Sequence, residues 1–112
     1  MMIKSYDYNY LEIAMKNLGE AFDYAKNGYN LDMDKFMDMF ITSGYSKMFE
    51  DGNPKILIGI SGSELVLNVF EQCGYKVDIK SPQNNFDYSP EYWCGWIIAY
   101  YQWKTCLSFK YI

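Results

Sequence analysis

The stretch Ser89 to Lys104, SPEYWCGWIIAYYQWK, contains all three tryptophans of the chain. Ser89 has the hydroxyl of a helix N-cap, and Pro90 follows at the first helical position, where its missing N–H costs nothing. Glu91 then places a negative charge in the first turn, which the helix dipole favours. The stretch is therefore predicted to be a capped, mostly buried helix around which the rest of the chain folds.

Two sides of this predicted helix differ in the size of their residues. The side predicted to form the core has large apolar residues at helical spacing: Trp93, Trp96, Ile97, Tyr100 and Leu107. A narrower side has small residues, Gly95 and Ala99, spaced four apart together with Gln102. Such a strip would allow another helix to approach closely.

Not every ring can point into the core from a single helix. Tyr92 and Tyr101 fall outside the predicted core positions, and either Trp103 or Lys104 completes that face. Tyrosine and tryptophan both have polar tips that need a partner. We predict that these three rings are partly exposed and, with Glu91, form a partner-binding surface. Their burial in the core is the alternative interpretation.

Hydrophobic periodicity predicts further helices upstream. The first runs from about 8 to 26, with the stop placed at Gly28, and its apolar positions share one face: Leu11, Met15, Leu18, Phe22, Ala25 and Tyr29. A second segment, about 32–49, begins with Asp32 as N-cap. Gly44 within it is either a close-packing point or a break between two shorter helices.

A third helix is predicted from about 62 to 72. Ser61 and Glu64 have the spacing of a capping box, and Gly74 follows as a C-terminal stop. Its predicted inward face includes the thiol of Cys73. Residues 55–60 (KILIGI) and 75–80 (YKVDIK) are each compatible with a short strand, and pairing between them would form a minor β-ribbon.

These patterns predict a mainly α fold, a compact single domain over residues 1–112. Four to five helices are expected around the C-terminal aromatic helix, with one short β-ribbon as a minor alternative. Half of the residues are hydrophobic and 20 % are aromatic, which is enough apolar area for a real core.

The composition disfavours most catalytic chemistry. The chain contains no histidine, so the commonest general base and the commonest zinc ligand are both missing. The three cysteines, Cys73, Cys94 and Cys106, lack C-x-x-C spacing and are predicted to be buried thiols. We therefore predict a protein that is not an enzyme and has no metal site and no cofactor.

Charge and hydropathy bear on partners and location. The net charge is −4 and the pI is about 4.6, which disfavours binding to nucleic acid and favours a protein partner with a basic surface. No apolar run reaches the roughly 18 residues of a spanning helix, and the N-terminal MMIKSYDYNY lacks a signal-peptide core. A cytoplasmic protein without a membrane span is expected.

A glycine-rich loop, Gly59 to Ser63, precedes the third helix. A loop that leads into a helix N-terminus can bind an anion, and its candidate residues are Gly59, Ser61, Gly62 and Ser63. No Gly-Lys-Ser/Thr follows, so the phosphate-loop motif is incomplete. A purely structural turn and cap is the competing interpretation.

Four stretches together resemble a family of small uncharacterised proteins of Firmicutes and their mobile elements: 10–25 (YLEIAMKNLGEAFDYA), 36–44 (FMDMFITSG), 49–65 (FEDGNPKILIGISGSEL) and 89–103 (SPEYWCGWIIAYYQW). The SPEYWxGWxxAYYQW motif is the most specific of them. The resemblance implies genes that lie near toxin–antitoxin-like modules. Similar sequences continue past the SFK at Ser108, so the resemblance implies either a short member of the family or the N-terminal part of a longer family chain.

The hypothesis that follows is a non-enzymatic, acidic, protein-binding regulator, either antitoxin-like or a phage-type inhibitor of a partner protein. A homodimer through the same surface is an alternative for the partner. The alternative function is a small-molecule or nucleotide-binding module that uses the Gly59–Ser63 loop and the following helix N-terminus.

Overall fold

The computed structural model describes residues 6, 8–57, 59–75, 89–106 and 108–109, with the side chains of Pro54 and Leu57 left out. Among these residues the chain forms six helical segments: α1 (Tyr8–Tyr29), α2 (Met33–Thr42), α3 (Tyr45–Glu50), α4 (Pro54–Leu57), α5 (Gly62–Gln72) and α6 (Pro90–Thr105). Since α4 is a single four-residue turn, the mainly α fold of four to five helices is confirmed.

The helix with the largest buried face is α1, not the aromatic helix. It spans 22 residues, and ten of them are buried, whereas four residues of α6 are buried. The predicted face of Leu11, Met15, Leu18, Phe22 and Ala25 is inside. Helices α6 and α5 both pack against α1, so α1 lies between them.

The end of α1 was predicted one turn too early. Gly28 is still helical, and the residue in the left-handed conformation is Asn30, with φ of 55°. Tyr29 explains the extension, because its ring packs edge-on against both Tyr24 and Phe70, with centroids 5.3 and 5.2 Å apart. Tertiary packing therefore sets this helix end rather than the glycine.

Gly44 divides the second predicted helix into α2 and α3. Its φ of 87° is accessible to glycine at little cost, so the chain turns there and the helix restarts. The Asp32 side chain accepts from the Lys35 N–H, which confirms the predicted N-cap. The Ser61–Glu64 capping box and the bounds of α5 are also as predicted, and Gly74 follows with φ of 72°.

The core between α1, α2, α3 and α5 consists largely of phenylalanine. Phe40 contacts Phe36, Phe49 and Phe109, with ring centroids 5.3–6.2 Å apart. Phe109 lies outside every predicted helix, yet its side chain is almost fully buried. The chain after α6 therefore returns to the core beside α2 and α3.

The proposed β-ribbon does not form at its first half. Residues 54–57 are helical, since Pro54 starts a turn after Gly52, which has φ of 75°. Residues 76–80, the other half, lie outside the described residues, as do the loop 81–88 and Leu107. No strand occurs in the part of the chain that the structure describes. Across the same residues, no helix has both the length and the apolar character needed to cross a bilayer.

Candidate binding surface

The side of α6 that faces α1 has small residues. Its buried residues are Tyr92, Gly95, Ala99 and Gln102, so the small-residue strip is the packing face. A Cβ placed on Gly95 would lie 2.5 Å from the Leu18 carbonyl oxygen, a distance that side chains essentially never show. The predicted close approach of another helix is confirmed, and that helix is α1.

The opposite side of α6 presents large apolar residues to solvent. Trp93, Ile97 and Tyr101 follow one another at four-residue steps, and their side chains are 50, 51 and 51 % exposed. At 100° per residue this row lies on the side of the helix away from Gly95 and Ala99. We call Trp93, Ile97 and Tyr101 the outer ridge of α6.

The prediction that Trp93 and Ile97 form the core was wrong. The backbones of α1 and α6 touch at glycine, which fixes the rotation of α6 and leaves these two residues outside. Trp96 and Tyr100, predicted as core with them, are only half-buried. The Gly95–Ala99 spacing was the sequence signal for the correct face, and ring size was misleading.

The residues predicted to bind a partner fall in different places. Tyr101 is exposed as predicted and belongs to the outer ridge, and Glu91 is half-buried in the first turn of α6. Tyr92 was predicted to be partly exposed, but it is only 5 % exposed, because it lies on the strip that packs against α1 near Gly19.

Trp103 is half-buried and is tied to the start of α1. Its Nε1–H donates to the Tyr6 carbonyl oxygen at 2.9 Å, and its ring lies 5.9 Å from the Tyr8 ring. Ser89 makes a corresponding connection at the other end of α6, where its hydroxyl donates to the Asp23 carboxylate. Helices α1 and α6 therefore run antiparallel, with one hydrogen bond between them near each end of α6.

A cavity of about 430 Å³ opens between α1 and α6 beside the outer ridge. Leu11 and Met15 are buried and form its floor. The more exposed lining comes from five further residues, namely Tyr8, Asn9, Glu12, Trp96 and Tyr100. The Trp93 and Trp96 rings lie 5.7 Å apart, so the outer ridge is continuous with the cavity wall.

The observed contacts of the glycine-rich loop 59–63 are those of a helix cap and of close packing against α1. The Ser61 hydroxyl accepts from the Glu64 N–H at 3.2 Å, and the Glu64 carboxylate accepts from the Ser61 N–H at 3.5 Å. An added anion would meet this carboxylate at the helix start. A Cβ on Gly62 would lie 2.4 Å from the Asn17 carbonyl oxygen, so that glycine is buried against α1. Gly59 is exposed, and the Ser63 hydroxyl lies 3.1 Å from that of Ser61.

The cysteine prediction was wrong for two of the three thiols. Cys73 and Cys106 are exposed and Cys94 is half-buried, and none of the three forms a disulfide. Cys73 and Cys106 are the C-cap residues of α5 and α6, so each lies just past the buried face of its helix. Within the described ranges, no group of three or more Cys, Asp or Glu side chains is placed to bind a metal ion.

Comparisons of the chain with protein families, with curated proteins and with solved structures found no match.

Proposed function

We propose that the protein is a non-enzymatic regulator that binds a partner protein through the outer ridge of α6. The observation that supports this most directly is the row of three half-exposed large apolar side chains, Trp93, Ile97 and Tyr101, on one face of a single helix. Contiguous exposed apolar surface is typical of interaction sites, and helix faces with anchors at i, i+4 and i+8 suit a groove on a partner.

The chemistry of the ridge fits a binding role. Tryptophan and tyrosine are the residues most often found at interface hot spots, because they bury large area at small conformational cost. The closest approach of α6 to α1 is at Gly95, on the side of the helix away from the ridge.

The charge of the chain favours a partner with a basic surface. The net charge is −4, and Glu91 lies in the first turn of the helix that carries the ridge. Complementary charge would steer association and fix orientation, and the apolar ridge would supply most of the affinity.

The proposed class is a cytoplasmic regulator, either antitoxin-like or a phage-type inhibitor of a partner protein. Its support is the resemblance of residues 89–103 to the SPEYWxGWxxAYYQW family, whose motif specifies two of the three ridge residues, Trp93 and Tyr101. A regulator of this kind needs a surface and a partner, which agrees with a chain that lacks histidine.

The test is affinity capture from host lysate with the wild type and with a ridge variant, W93S/I97S/Y101S. A matched control, Y10S/I13S/M48S, changes three other exposed apolar residues on α1 and α3. We expect a stoichiometric protein with a basic surface to be captured by the wild type and the control. Once it is identified, its affinity for the ridge variant should fall by more than about 100-fold.

Two results would contradict the proposal. One is a lysate in which no stoichiometric partner is found, and the other is a partner that binds the ridge variant as tightly as the wild type. A homodimer is the alternative partner, and sedimentation of the wild type and the ridge variant separates the two. Dimerisation that requires the ridge would replace a basic partner with a second copy of the chain.

A further inference from the structure

The cavity between α1 and α6 combines aromatic rings with one carboxylate, which forms no ion pair within the described ranges of the chain. Its wall is formed by Trp96 and Tyr100 of α6, and its rim by Tyr8 and Glu12 of α1. Ring faces carry the negative part of an aromatic quadrupole and attract cations that come within about 6 Å. Tryptophan is the strongest of these rings.

Glu12 supplies the full negative charge of the site. Its side chain is exposed, and no cation pairs with it in the described part of the chain. The nearest candidate along α1, Lys16, lies 3.9 Å from Glu20 instead. The favourable effect of the α1 dipole on a negative charge is confined to the first turn of the helix. Glu12 lies in the second turn, so the dipole does not offset its charge.

The Tyr100 ring already has an ammonium group of the protein beside it. The Lys104 Nζ lies 5.7 Å from the centroid of the Tyr100 ring and 3.5 Å from its hydroxyl. The cavity floor of Leu11 and Met15 adds apolar surface for the alkyl groups of a substituted ammonium ion. The volume of about 430 Å³ lies in the range of small-ligand sites.

We propose that this cavity is a binding site for an organic cation, an alkylated ammonium or guanidinium group, held between the rings of Trp96 and Tyr8 and the carboxylate of Glu12. The net charge of −4 favours such a ligand over an anion. The cation can come from a free small molecule or from a lysine or arginine side chain of a protein. The site uses none of the three ridge residues, so the ridge variant tests the proposed function and the Glu12 variant tests this site.

The experiment is a titration of tetramethylammonium and of choline followed by ligand proton NMR. Methyl groups held against ring faces shift upfield, so a saturable upfield shift is expected at constant ionic strength. The neutral isostere 3,3-dimethylbutan-1-ol should bind at least about fivefold more weakly, because cation–π attraction requires the charge. Equal binding of the neutral compound would overturn the proposal, and so would the absence of saturation.

Variants locate the site. E12Q should weaken choline binding by about threefold to tenfold, whereas E71Q, which removes the same charge from an exposed position on α5, should leave it unchanged. Equal weakening by E12Q and E71Q would show a bulk charge effect and overturn the site. Y8L removes a ring that is 71 % exposed and should also weaken binding. If Y8L does not fold, the E12Q and E71Q pair still decides.

A further titration with peptides distinguishes a free cation from a cationic side chain of a protein. Peptides with one trimethyl-lysine, one lysine or one arginine are compared with choline. A peptide that binds at least about tenfold more tightly than choline assigns the site to a protein side chain, and equal affinity assigns it to a free cation. In both cases E12Q must weaken binding. A peptide that binds E12Q as tightly as the wild type does not occupy the cavity.

Discussion

Gly95 of α6 rests directly on Gly19 of α1. A Cβ added to Gly95 would lie 2.9 Å from the Gly19 Cα, and one added to Gly19 would lie 2.8 Å from the Tyr92 carbonyl oxygen. The two backbones are therefore in contact with no side chain between them. This contact fixes the rotation of α6, and through that rotation it determines which aromatic residues reach solvent.

Gly95→Ala should destabilise the domain by roughly 2–3 kcal/mol or more. The added methyl meets backbone atoms of Leu18 and Gly19 on α1, and backbone cannot move aside as a flexible side chain can. Urea unfolding followed by circular dichroism measures the effect. The Trp93 and Tyr101 fluorescence environment should change as well, because α6 must move away from α1.

Gly28→Ala is the matched control. Gly28 is also helical, but its added Cβ would meet only the Tyr24 ring at 3.4 Å or more, an ordinary contact. Alanine should therefore gain roughly 0.5–1 kcal/mol of helix propensity there. If Gly95→Ala were as stable as Gly28→Ala, the backbone contact between α1 and α6 would be wrong.

The local rules of helix ends could be applied from the sequence, and they held. The caps at Asp32, Ser61 and Ser89 and the start of α6 at Pro90 are as predicted, since each depends on one or two neighbouring residues. The extension of α1 through Tyr29 could not be predicted in this way. It depends on contact with Phe70, a residue 41 positions later in the numbering.

The face of α6 was the main error, and its cause is physical. The helix is apolar on most of its surface, so periodicity does not distinguish one side from another. Ring size suggested Trp93 and Ile97, whereas close backbone packing selected Gly95 and Ala99. Of the partner-binding residues, Tyr101 is where it was expected and Tyr92 is buried. The cavity at Glu12 joins helices distant in sequence and gave no local signal.

Trp93→Ala should leave the free energy of unfolding within about 1 kcal/mol of the wild type. Half of this side chain is exposed, and it lies on the side of α6 away from α1. Phe40→Ala, in contrast, removes a fully buried ring that packs against Phe36, Phe49 and Phe109, and should cost roughly 3–5 kcal/mol. Chemical denaturation of both variants gives the comparison. Equal losses of unfolding free energy in the two variants would mean that Trp93 is part of the core.

Tyr6→Phe should stabilise the protein, or leave it unchanged, at neutral pH. The Tyr6 hydroxyl is buried, and it has no hydrogen-bond partner among the described residues. Phenylalanine removes an unsatisfied polar atom whose burial costs roughly 1–3 kcal/mol, and it keeps the ring contact with Trp103. A loss of more than 1 kcal/mol in thermal or urea unfolding would mean that the hydroxyl is bonded.

The same variant makes the stability depend differently on pH. Burial raises the pKa of the Tyr6 hydroxyl above its ordinary value near 10, so the unfolded chain loses this proton first. Below pH ~10 the Tyr6 hydroxyl is protonated in both the folded and the unfolded chain and adds no pH dependence. Above pH ~10 the unfolded chain loses the proton first, so the wild type loses stability by at most about 1.4 kcal/mol per pH unit. Tyr6→Phe should lack that loss, and the difference between the two proteins isolates it from the other tyrosines. Parallel curves above pH ~10 would contradict a buried Tyr6 hydroxyl.

The connection between Glu50 and Phe109 gives the last prediction. The buried Glu50 carboxylate accepts from the Phe109 N–H at 2.6 Å, and the Phe109 ring lies 5.7 Å from that of Phe49. Glu50→Ala leaves this buried N–H without its acceptor and should cost roughly 1–3 kcal/mol. Glu50→Gln retains an oxygen at the same place and should cost less. Amide exchange at Phe109 should accelerate strongly in Glu50→Ala and only weakly in Glu50→Gln, because the hydrogen bond protects that proton. Fast exchange of the Phe109 amide in the wild type would show that the chain after α6 is not held by Glu50.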